Sequence, residues 1–141
     1  MTLNDYLQDA RSHGFALGHF NFATADVLRA IILGAKEAGA PAVMVGTSEG
    51  EADFIGMEEA VALVGAFRED FGFPVFLNAD HFKSFEKCKE AIDAGYDSVL
   101  ADASRLLFDE NVALTKRVWE YAKTAKGGVS VEGELGYLKG S

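Results

Sequence analysis

Apolar and polar positions alternate between two rhythms along the chain. Short, nearly unbroken apolar runs occur at 15–20 (FALGHF), 41–46 (PAVMVG), 73–78 (FPVFLN), 97–101 (DSVLA) and 127–135 (GGVSVEGEL). Between them lie stretches with apolar residues at helical spacing. Val27, Ala30, Ile31, Gly34 and Ala35 form one stripe; Phe108, Val112, Thr115, Val118 and Ala122 form another. Thr24 stands where a helix cap belongs, and Gly39, Gly72 and Gly95 stand where helices should stop. A first short helix over 2–12, with Leu3, Tyr6 and Leu7 on one side, closes at Gly14. The pattern therefore predicts about five strands joined by four crossover helices.

Runs that are apolar throughout, rather than alternating, belong to strands covered on both faces. Strand starts recur about every 24 to 32 residues, the length that a right-handed βαβ crossover takes. No composition break or linker interrupts the series, so residues 1–141 read as one domain. Two architectures accept it, a doubly wound sheet and a (β/α)8 barrel. The first turn, GHFNFAT, lacks the Gly-x-Gly-x-x-Gly of the dinucleotide-binding version of the open sheet.

The strands' C-terminal ends are more telling. They carry His19 and Asn21; Thr47, Ser48 and Glu49; Asn78, Asp80 and His81; Asp102 and Ser104; then Glu132 and Glu134. A barrel's chemistry sits on that rim. Polar strand ends are common, which accounts for Thr47 or Ser104, but accounts less well for so many acids around an imidazole. Close carboxylates repel unless one is protonated or a cation sits among them. His81 with Asp80, Asp102 and Glu134 makes an N/O set suited to zinc, with manganese, iron or cobalt as near equals. Two plainer roles compete: Asp80 as cap of the helix starting near Ser84, and His81 as a hydrogen-bond donor at the rim. His13 reads as a surface residue at a helix end. His19 could point outward or into the cavity.

Charge and cysteine content narrow the partners. Thirteen basic residues against 22 acidic ones leave a net charge of −9, which disfavours a nucleic-acid backbone as ligand. No apolar run reaches membrane-spanning length, and the first residues lack the order of a signal peptide. The single Cys88 cannot form an internal disulfide, which suits a cytoplasmic protein, and its spacing marks it as a buried hydrophobe.

The stretches FALGHFNFATADVLRAIILGAKEAGAPAVM, VGTSEG and FLNADHF through VEGELGYLKG resemble, in order and over nearly the whole chain, the class II (metal-dependent) fructose-bisphosphate and tagatose-bisphosphate aldolases. The Asp80-His81 pair, the DAS…FxEN segment and VEGELG together carry the likeness. The resemblance implies the N-terminal portion of a (β/α)8 TIM barrel, usually assembled as a homo-oligomer. It implies reversible aldol cleavage of a ketose bisphosphate, a small phosphorylated sugar, to dihydroxyacetone phosphate and an aldehyde. It places a Zn2+ ligand at His81, acid/base duty on Asp80, a second or alternative metal position at Asp102, a metal-associated carboxylate at Glu134, and substrate contacts at Asn21 and Ser48. A complete barrel takes about 250 residues, so the family's two other zinc histidines and its phosphate-holding loops have no counterpart in this stretch. A metal-binding or sugar-phosphate-binding fragment or partner subunit without cleavage is the alternative. Phe82, Ala103, Arg105, Leu107 and His19 depart from the family's usual residues, and the resemblance puts these changes at the rim, with the Phe82 ring close to the metal.

Overall fold

A computed structural model describes residues 1–125 and 127–136 of the 141. The end of the resembling stretch, Tyr137 to Gly140, lies outside them. The elements run α1 (Leu3–His13), β1 (His19–Asn21), α2 (Ala25–Glu37), β2 (Val43–Ser48), α3 (Glu49–Ile55), α4 (Met57–Phe71), β3 (Val75–Phe82), α5 (Phe85–Ala94), β4 (Ser98–Ala101), α6 (Phe108–Ala122) and β5 (Ser130–Gly133). The five strands form one parallel sheet in the order β1-β2-β3-β4-β5. Sequential order with a helical crossover at every step makes this the N-terminal part of a (β/α)8 barrel.

The capping chemistry explains the helix starts. Thr2 caps α1 in a reciprocal box with Asp5, moving its start to Leu3 and its end to His13. Thr24 caps α2, and Ser84 caps α5 by accepting from Lys87 N. Ser84, not Asp80, therefore closes that turn. The β2–β3 crossover holds two helices, α3 and α4, where the periodicity showed one; Gly56, at φ 93°, makes the corner between them.

The two faces of the sheet differ. Val43, Val45, Val75, Leu77, Ala79, Val99 and Ala101 meet Leu28, Ile32, Val64, Cys88, Ile92 and Val118 of the helices in the main core. Burying each large side chain there stabilises the fold by roughly 1.5–3 kcal/mol. On the other face Phe76 packs against Leu3, and α1 lays Tyr6 on its ring at 5.5 Å, closing the sheet near the strands' N-terminal ends. Cys88 is fully buried, and burial pushes its thiol up to about 12, so it is inert. His13 is exposed and pairs with Asp9 at 2.9 Å.

Several side chains lie elsewhere than their spacing suggested. Val118 and Ala122 of α6 are buried, but Phe108 and Val112 are exposed. Thr47 leaves the rim for the helix layer, where its hydroxyl meets Tyr96 Oη at 2.8 Å. Phe82 also points into the core, 6.5 Å from the Tyr96 ring, and takes no space at the mouth. Ala103 is buried too. No helix among the described residues is long and apolar enough to cross a membrane.

Candidate active site

β3 continues past the apolar run to Phe82, and its last residues are irregular. Ala79 pairs with Val99, but Phe82 pairs with Ala101, so β3 spends one residue more than β4 over the same distance. This bulge lets Ala79 and Phe82 both face the core, with Asp80 and His81 between them at the mouth. A regular strand would send those two side chains to opposite faces. His81 takes up the distortion at φ 55°, the left-handed region where a non-glycine residue is strained. Strain of this kind persists only where the surroundings over-determine it.

Two carboxylates hold the ring. His81 Nδ1 lies 2.9 Å from Asp102 Oδ2 and 3.1 Å from Glu134 Oε2. Asp102, just beyond β4, is aimed by Ser104, whose backbone N–H and hydroxyl donate to Oδ1 at 3.0 and 2.6 Å and leave Oδ2 for His81. Glu134, just beyond β5, is fixed from α6, where buried Asn111 donates to its carbonyl at 2.7 Å. Partial burial opposes charge on His81, but the bond to Asp102 and the charges of Asp80, Glu134 and Asp102 outweigh it and raise its pKa. For Asp102, burial pushes up, while Ser104 and His81 pull its carboxyl below the usual range.

The donor count is short. Nδ1 carries at most one hydrogen, and Asp102 takes it. Glu134 Oε2, buried and only 3.1 Å away, is left with no hydrogen-bond partner. Ligand atoms of His81, Asp102 and Glu134 all lie within 4.8 Å of one another, and among the described residues this is the one such cluster. One imidazole nitrogen and two carboxylate oxygens, one of them unsatisfied, are what a divalent cation completes.

Around the cluster, Ser48, Glu49, Gly50, Asp80, Lys83 and Arg105 line a cleft of about 280 Å³. Four larger hollows, of about 600, 570, 370 and 330 Å³, hold no such cluster. Asn21 and Ser48 come to the same end as Asp80: Asn21 Nδ2 donates to Asp80 Oδ2 at 2.8 Å, and Ser48 is Asp80's register neighbour. His19 turns inward beside Asn21. Both tips pass over Gly46, where an added Cβ would collide with His19 Nε2 and Asn21 Oδ1. Asn78 is buried and accepts from Ser98 Oγ at 2.6 Å, and Glu132 is exposed. Sequence reasoning missed Glu51, which accepts from Asn21 and from Ser48; the Ser-x-x-Glu of Ser48 to Glu51 was its visible sign.

Known proteins resemble this chain in sequence and in fold. The class II fructose-bisphosphate aldolase family model matches residues 1–141. The chain is 44% identical to the fructose-bisphosphate aldolase of Staphylococcus aureus, over 99% of this chain and 49% of that protein. Identity to the Geobacillus stearothermophilus enzyme is 42%, with the same coverage. The crystal structure of the YdjI aldolase from Escherichia coli K12 superposes with a TM-score of 0.85 at 29% identity, over 99% of this chain and 53% of that one. Fructose-bisphosphate aldolase from Campylobacter jejuni, at 24% identity and a TM-score of 0.82, shares the fold. The chain thus spans about half the length of the curated relatives it matches. With a family match over residues 1–141 and a structural likeness that covers 99% of the chain, it belongs to the class II fructose-bisphosphate aldolase family.

Proposed function

We propose that this chain forms the acid/base and metal-holding side of a zinc-dependent aldolase site, acting in reversible cleavage of a ketose bisphosphate to dihydroxyacetone phosphate and an aldehyde. The observation that carries the reading is the β3 bulge, which brings Asp80 and His81 to one mouth, with His81 against Asp102 and Glu134. His81 and Glu134, with Asp102 as a second or alternative ligand, would hold the cation. A divalent ion there lowers the cost of the negative charge that builds on the three-carbon fragment as the carbon–carbon bond breaks. Asp80 moves the proton at the aldehyde oxygen, taking it in cleavage and returning it in condensation. Asn21 holds the Asp80 carboxylate in place, and Ser48 lines the substrate end of β2. The reading includes a cytoplasmic, homo-oligomeric enzyme that needs the remaining barrel strands for its phosphate contacts.

The test joins this segment to the rest of its barrel and measures cleavage of fructose and tagatose bisphosphates. Activity should vanish with EDTA and return with zinc; activity indifferent to chelator sinks the mechanism. D80A should keep the metal and lose at least about 100-fold in turnover, within the range for a general acid/base. Because the chain spans half the length of its relatives, a second reading stands beside the first: a fragment or partner subunit that binds metal or sugar phosphate without cleaving it. Stoichiometric metal with no cleavage in the completed barrel would select it.

A further inference from the structure

Asn21 and Ser48 are drawn together by one carboxylate. Glu51 Oε2, at the first turn of α3, accepts from Ser48 N at 2.7 Å, from Ser48 Oγ at 2.8 Å and from Asn21 Nδ2 at 3.2 Å. The same Asn21 nitrogen donates to Asp80 Oδ2 at 2.8 Å. An amide nitrogen has two hydrogens. Both are thereby committed, one to Glu51 and one to Asp80. Asn21 Oδ1 lies on the other side, in the space over Gly46. Turning the amide over would set its carbonyl oxygen against two carboxylates, so electrostatics fixes its orientation.

We infer that Glu51 is a positioning residue for Asp80, acting through Asn21. The geometry stands by itself, while the use that Asp80 makes of it rests on the aldolase reading. With Glu51 in place, Asn21 is pinned at both hydrogens and holds Asp80 Oδ2, leaving Oδ1 to exchange the proton with substrate. With Glu51 gone, the amide keeps one acceptor, and the Asp80 carboxylate turns about its own bond. Asn21 then serves the acid/base group rather than donating to substrate, since neither of its hydrogens is spare.

Glu51 also caps α3 reciprocally with Ser48, so a loss of activity alone could reflect only a weakened helix. The chain itself supplies the variant that separates the two duties. In α1 the equivalent box is closed by an aspartate, Asp5, across the same spacing. Glu51→Asp should therefore keep the cap yet draw its carboxylate back from Asn21 by one methylene.

The decisive measurement is NMR of the Asn21 side-chain amide in this chain. In the wild type its two protons should be well separated and slow to exchange. In E51D the proton facing residue 51 should move toward the free-amide position and exchange roughly 10-fold faster, with the melting temperature unchanged. E51Q, whose carbonyl can still accept, should restore the wild-type signals. In the completed barrel E51D should lower kcat roughly 10-fold at unchanged KM, a modest share of what misplacing a catalytic group can cost. In an N21A background it should do nothing further. Unchanged Asn21 signals in E51D, or an equal loss of kcat with and without Asn21, would overturn the inference. Shifted signals in a barrel that never cleaves a ketose bisphosphate would uphold the positioning and overturn the aldolase reading instead.

Discussion

Two carboxylates at opposite ends of the sheet keep different company. Asp97, just before β4, accepts from Arg68 Nη2 and from Leu77 N, both at 2.8 Å, while Arg68 Nε donates to the Val75 carbonyl at 2.8 Å. Every bond there has a donor and an acceptor, and the clamp ties α4, β3 and β4 at the strands' N-terminal ends. At the C-terminal ends, His81 faces Asp80, Asp102 and Glu134 with one proton to share at Nδ1, and Glu134 Oε2 goes without. The first arrangement is complete as it stands. The second leaves an acceptor unsatisfied and gathers the donor set of a divalent-metal site. In a barrel this division is general: one rim holds the fold together and the other carries the chemistry.

The sharpest way to break the contrast is to remove the imidazole. H81A should weaken divalent-metal binding by more than the ~100-fold that even outer partners of a ligand can cost, as read by calorimetric titration with zinc. Alanine keeps a Cβ and with it the left-handed strain at position 81, so it is H81G, not H81A, that should relieve that strain in the protein without metal. Asp97→Ala should do the reverse. Leaving Leu77 N unpaired in a half-buried site costs about 2 kcal/mol, measurable by urea unfolding, with metal affinity untouched. A D97A chain that loses metal affinity would show that the two ends are not independent. Next comes Ser104→Ala, which frees Asp102 Oδ1 and should weaken metal binding about 10-fold without a matching loss of stability.

The smallest effect is that of pH. The raised pKa of His81 means that, without metal, its charged form contributes stability that is fully present below pH 6.5 and is lost as pH rises through the higher folded value. The lowered pKa of Asp102 works in the other direction, present above 3.8 and lost as pH falls through its lower folded value. Metal needs the neutral ring, so zinc affinity should climb across the interval in which apo stability declines. Stability curves measured from pH 4 to 9 with and without zinc should diverge upward; parallel curves would detach His81 from the site.

Much of this was legible in the residues, for reasons that can be named. Val43, Val45, Val75, Leu77 and Val99 declare parallel strands because both sheet faces are covered. His81, Asp102 and Glu134 could be gathered from separate strands because a barrel rim collects whatever follows each strand. The bulge could not be read. It carries no glycine, and a histidine forced to φ 55° looks in sequence like any other. Phe82 was misplaced for that reason: the family resemblance put its ring beside the metal, whereas the extra residue in β3 turns it to the core. α3 was hidden because seven residues, EGEADFI, are too few to show a stripe. Phe108 and Val112 fit the helical spacing but sit on a face of α6 that the described residues leave exposed, and spacing alone does not say which neighbour will cover a face.

The irregularity in β3 also bears on how such a protein can change over generations. One surplus residue brings the acid and the imidazole onto a shared side, and it is held against the backbone's preference. A deletion of a single codon there would let the strand pair evenly with β4 and shed the strained conformer. The descendant would keep its architecture and lose its reagents in one genetic event. Lineages that drop the chemistry but retain the scaffold therefore have a short path open to them, and the length of this segment is the first place to look for it.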